Sequence, residues 1–125
     1  MSELALKYCD QWANKWSISD QDQELSNKLI DVFSRYLSNL EAQNVSKTTF
    51  RRHKSACLAL GGYIVGEVYG YETDGPFDDL DGKTIILKYI DSEGDPLIHS
   101  HEPTWQSELD AMCKKLYKLI NAEAI

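Results

Sequence analysis

Residues 25–40 read LSNKLIDVFSRYLSNL. Leu25, Leu29, Val32, Phe33, Tyr36, Leu37 and Leu40 recur at steps of three and four, which gathers side chains on one face of an α-helix. Lys28, Asp31, Arg35 and Ser38 cover the opposite side. Ser19 or Asp20 is suited to cap this helix, and Asp22 and Glu24 complement the positive end of its dipole. The pattern predicts a helix over about 20–42.

The chain on either side extends the same scheme. Gln43 to Lys47 form a polar turn, and Ser46 caps a further helix over 47–65 that turns Phe50, Cys57, Leu60, Gly61 and Ile64 inward. Gly61-Gly62 either weakens the end of that helix or marks close packing against a neighbour. Upstream, Leu4, Tyr8, Trp12 and Trp16 recur every four residues, which predicts a first helix over 3–16. Downstream, Pro103 suits a first helical turn. Trp105, Leu109, Met112, Leu116, Leu119 and Ile120 then line the inner face of a helix over 103–122, with Lys114, Lys115 and Lys118 outside. Residues 66–102 differ. Gly66, Gly70, Gly75, Pro76 and Gly82 punctuate an acid-rich loop. Thr84 to Ile90 are β-branched and apolar, Asp91 to Pro96 are turn residues, and Leu97-Ile98 can return as a second strand. The expected fold is mainly α: one domain, 1–125, of four helices with a small β-hairpin between the third and fourth. Its predicted core is Tyr8, Trp12, Leu29, Phe33, Leu37, Phe50, Leu60, Ile64, Trp105, Leu109, Met112 and Leu116.

Composition agrees with an ordinary globular chain. Of its 125 residues 42% are hydrophobic and 26% charged, which excludes a disordered tail, a collagen-like repeat or a disulfide-dense miniprotein. The net charge of −7 is unevenly placed. Residues 1–66 are near neutral and residues 103–125 balanced, whereas residues 67–102 carry ten acids against Lys83 and Lys88. That balance opposes general polyanion binding but leaves room for a local basic contact in the first half. Glu3, Lys7 and Asp10 interrupt any apolar signal core, and no run approaches a membrane span, so a cytoplasmic protein with no membrane partner is expected. Cys9, Cys57 and Cys113 each fall in a predicted helix and are read as buried free thiols.

Motifs for chemistry are few. Gly75 to Thr84 resembles a P-loop in outline, but its spacing, the four acids in and beside it (Asp74, Asp78, Asp79 and Asp81) and the apolar segment after it all fail. Asp74, Asp78, Asp79 and Asp81 do not fit a calcium loop, since Phe77 and Lys88 would fall at ligand positions. They read as a solvated turn or as an acidic surface for a basic partner. His99 and His101, two apart in an extended segment, point to one side and are the residues for a metal, with Asp95 or Glu102 nearby. No third histidine or cysteine is local; an exposed loop before the last helix is the alternative. No nucleophile elbow is present and no motif calls for a cofactor.

The positive concentration in the chain is Lys47-Thr-Thr-Phe-Arg51-Arg52-His53-Lys54. At about 100° per residue, Lys47, Arg51 and Lys54 lie within about 60° of each other on a helix, Arg52 falls further round, and Phe50 and His53 turn inward. Thr49 and the free amides of the first turn add donors for a phosphate. The run reads as a nucleic-acid backbone contact or as a solvated face whose charges pair with the acidic segment.

Residues 29–65, with Phe33, Tyr36, Leu37, Ser46, Thr49, His53 and Leu60 carrying the match, resemble the core-binding (SAM-like) domain of tyrosine recombinases and phage integrases. The resemblance covers 37 of 125 residues. It implies a DNA-contacting helical module associated with a mobile element, with Lys47, Arg51 and Lys54 as contacts. Nothing after Gly66 resembles the catalytic domain of that family, so it implies no catalytic role for any tyrosine here.

Three functional expectations follow. The first is a non-enzymatic interaction or regulatory protein that contacts DNA through Lys47, Thr49, Arg51, Arg52 and Lys54, or a protein partner through Asp74, Asp78, Asp79 and Asp81. The second is a small metal-assisted hydrolase using His99 and His101. The third is a homodimer paired through the aromatic face of Tyr8, Trp12 and Trp16.

Overall fold

The computed structural model describes residues 8, 12–16, 23–69, 81–90 and 103–125. These are mainly helical, and no strand occurs among them. The helices are α1 (Trp12–Trp16), α2 (Gln23–Ala42), α3 (Lys47–Tyr69), α4 (Gly82–Ile86) and α5 (Pro103–Asn121); Tyr8 is also helical.

α2 is the hub. Leu25, Leu29, Ile30, Val32, Phe33, Tyr36, Leu37 and Leu40 are all buried, an arc of about 160° at 100° per residue. The arc is wider than the stripe predicted because α2 packs against α1, α3 and α4 together. It ends where Asn44 takes a left-handed φ of 57°, a conformation asparagine tolerates at a helix C-terminus. Ser46 then caps α3 as predicted, its Oγ accepting from the Thr49 amide at 3.1 Å.

α3 runs straight through Gly61-Gly62 to Tyr69, so the glycines mark packing rather than a helix end. Trp16 lies over them and donates its indole N–H to the Leu58 carbonyl at 3.0 Å. Trp12, Trp16 and Phe33 form a ring cluster with centroids 5.6–6.3 Å apart, and Tyr8 lies 6.0 Å from Phe50. Tyr8, Trp12 and Trp16 are thereby buried inside their own chain, which removes them as the face of a homodimer. α5 packs antiparallel to α3, with Lys115 beside Gln43 at one end and Trp105 beside Ala59 at the other.

Two sequence expectations are corrected. Thr84–Ile86 lie in the helix α4 rather than in the first strand of a hairpin, with residues 87–89 a turn behind them. Asp81 caps this helix, its carboxylate accepting from the Thr84 amide at 2.8 Å. A short β-branched apolar run fits a buried helical turn as well as a strand, and Ile85, Ile86 and Ile90 bury against the core in this form. Gly82 lets α4 approach α2, since a Cβ there would fall 2.4 Å from the Lys28 carbonyl. The return strand Leu97-Ile98 lies outside the described residues.

The second correction is Trp105, which is 58% exposed rather than in the core. It shares the angular position of Leu109, Met112 and Leu116 on α5, but at the first turn α3 faces it with Ala56, Ala59 and arginines, too small or too polar to enclose an indole. Phe50 is only partly buried; the other predicted core residues are buried. Cys57 and Cys113 are buried and not in a disulfide, as expected, while Cys9 lies outside the described residues. No helix among the described residues is long and apolar enough to cross a membrane.

Candidate nucleic-acid interface

The first two turns of α3 present three different sides. Lys47, Arg51 and Lys54 share one, as their spacing requires, and line an open cleft of about 580 Å³ with Tyr8, Glu41 and Phe50. Lys47 and Arg51 are exposed and Lys54 is half-buried. Glu41 brings the negative charge of this cleft, and it accepts a hydrogen bond from the Tyr8 hydroxyl.

Arg51 also lines the next groove round the helix, of about 410 Å³, together with Arg52, Ala56, Ala59, Trp105 and Glu108. Arg52 pairs with Glu108 of α5 at 3.2 Å. Among the described residues, Glu41 is the acid beside Lys47, Arg51 and Lys54, and Glu108 the acid that pairs with Arg52. That pair is largely exposed and adds little stability, but it holds the guanidinium over the groove.

The third side faces α5. Thr49 lies there beside His53 and Glu108, its hydroxyl accepting from Ser46 at 2.9 Å. It belongs to the helix cap and does not join the basic cleft. His53 turns inward as predicted. Its Nδ1 lies 2.6 Å from the Tyr36 hydroxyl, which donates to it when the imidazole is neutral, and the two rings stack at 26°. Burial and then the Lys115 charge hold the His53 pKa below its ordinary value, with Glu108 acting in the opposite direction. Burial pushes the Tyr36 hydroxyl well up. Both rings are neutral at pH 7, so this pair is a packing element rather than a charged contact.

Asp81 lies on the far side of α2 from this surface, near Glu24, Lys28 and Asp31. The Thr84 amide holds its carboxyl below the usual carboxylate value, with Lys83 and Lys28 adding to the effect. It caps α4 and does not cover the basic helix. Asp74, Asp78 and Asp79, and the metal candidates His99 and His101, lie outside the described residues. Among the described residues no group of three histidines, cysteines or acids is placed to hold a metal ion.

Trp105 and the groove it walls were missed in the sequence. The missed signal was the pair Ala56 and Ala59 on the opposing helix, too small to cover an indole at that level. Compared with known proteins, this chain matches no family model, no curated protein and no solved structure.

Proposed function

We propose that this chain is a binding module that contacts the phosphate backbone of nucleic acid through Lys47, Arg51, Arg52 and Lys54. The observation that carries the reading is the convergence of Lys47, Arg51 and Lys54 on one open cleft, with Arg51 extending the positive surface into the adjoining groove. Four cations within eight residues give a local positive field even in a chain of net charge −7. The first turn of α3 adds backbone donors at the same end. The resemblance of residues 29–65 to the core-binding domain of tyrosine recombinases supports the same reading, since it implies the same three cations as contacts.

Binding of a fluorescent DNA followed by anisotropy, from low to moderate salt, tests this. The affinity is expected to fall steeply as salt rises, because each phosphate contact releases a counterion. Arg51→Ala combined with Arg52→Ala is expected to weaken binding on every sequence alike and to flatten the salt dependence by roughly two contacts. Retention on DNA at low salt that is unaltered in the double variant overturns the proposal.

A further inference from the structure

We infer that the groove between α3 and α5 takes a base from single-stranded nucleic acid, stacked on Trp105. The inference rests on the backbone-binding reading and names the form of nucleic acid it favours. Trp105 is the large hydrophobic side chain exposed among the described residues, at 58%, whereas Trp12 and Trp16 are 4% and 6% exposed. Its indole forms one wall of the groove, and Ala56 and Ala59, one helical turn apart on α3, line it with small side chains. The volume of about 410 Å³ falls within the range of ligand pockets, about 300–1,000 Å³.

Charge says which planar ring. Arg51 lines both this groove and the cleft of Lys47 and Lys54, so a backbone held by the cations passes the mouth of the groove. Arg52 borders the groove too, its guanidinium ion-paired with Glu108. A row of cations beside an exposed aromatic face is the arrangement by which proteins hold single strands, with phosphates on the charges and bases on the rings. In a duplex the bases are stacked inside and cannot reach Trp105 without unpairing.

Single-stranded oligothymidylate and a duplex of equal length, each titrated into the full chain, provide the test. The single strand is expected to bind at least several-fold tighter and to quench tryptophan emission. Because Trp12 and Trp16 are buried, the quench is expected to vanish in Trp105→Phe while most of the affinity stays. Trp105→Ala is expected to lose roughly tenfold in affinity without altering the salt dependence, whereas Arg51→Ala reduces the salt dependence. Trp105 is exposed, so both variants fold, as circular dichroism will show. Equal binding of duplex and single strand, or full affinity in Trp105→Ala, overturns the stacking proposal while leaving the backbone reading in place. Absence of binding to either nucleic acid at low salt overturns both.

Discussion

A Cβ built on Gly61 falls 2.2 Å from the Trp16 indole. The ring of α1 therefore rests directly on the backbone of α3, and its N–H reaches the Leu58 carbonyl from that seat. This one contact joins α1 to the helix that carries the basic surface.

Gly61→Ala is expected to destabilise the protein by up to about 2 kcal/mol. Alanine gains about 1 kcal/mol in helix propensity, but overpacking a filled core costs typically about 1–3 kcal/mol, and the clash is with a ring that Phe33 and Trp12 hold in place. Gly66 is the internal control. It lies in the same helix with nothing within 4 Å of its Cβ position, so Gly66→Ala is expected to stabilise by about 1 kcal/mol. Urea denaturation of the two variants checks both signs. Equal effects would mean that Trp16 is not seated on Gly61.

His53 makes stability depend on pH. Its folded pKa lies below the unfolded value of 6.5 because of burial and Lys115. Above that value both states are neutral and His53 adds no slope. As the pH falls below it, the unfolded chain takes up the proton first, so stability is lost until the folded pKa is passed. His53→Gln is expected to remove this part of the acid-side slope, read from denaturation midpoints over a pH series. Tyr36→Phe leaves the inward-facing Nδ1 without its donor and is expected to cost about 1 kcal/mol at neutral pH.

Asp81 is expected to act as a helix cap and nothing more. Asp81→Ala removes the acceptor of the Thr84 amide and is expected to cost about 1 kcal/mol, whereas Asp81→Asn keeps an acceptor and costs less. Because the folded carboxyl titrates below its ordinary 3.8, the wild-type cap is intact above that value and weakens as the pH falls through the lower folded one. Neither variant is expected to alter nucleic-acid binding, since Asp81 lies against α2 rather than α3. Anisotropy with the same DNA checks that; weaker binding in either variant would place Asp81 at the interface.

The long helices α2, α3 and α5 were legible because each carries its own periodicity. Leu25 to Leu40, Phe50 to Ile64 and Leu109 to Ile120 repeat at helical spacing over several turns, and Ser46 caps its helix through a residue three positions away. The clustering of Lys47, Arg51 and Lys54 was legible for the same reason: helix geometry alone places them on one side. Such signals are local. Each rests on residues within a turn or two of one another, so no knowledge of the neighbouring chain is needed to read them.

What only the tertiary structure decided depends on what lies opposite. Thr84 to Ile90 suit strand or helix equally by composition, and the packing of Ile85 and Ile86 on the core with Gly82 against the Lys28 carbonyl selects the helix. The meaning of Gly61 depends on Trp16, distant in sequence. Trp105 has the periodicity of a core residue, yet whether an indole is enclosed depends on the side chains facing it, and α3 faces it with Ala56 and Ala59. Periodicity along one helix says which face turns inward; burial is a property of two surfaces, and the second belongs to another part of the chain.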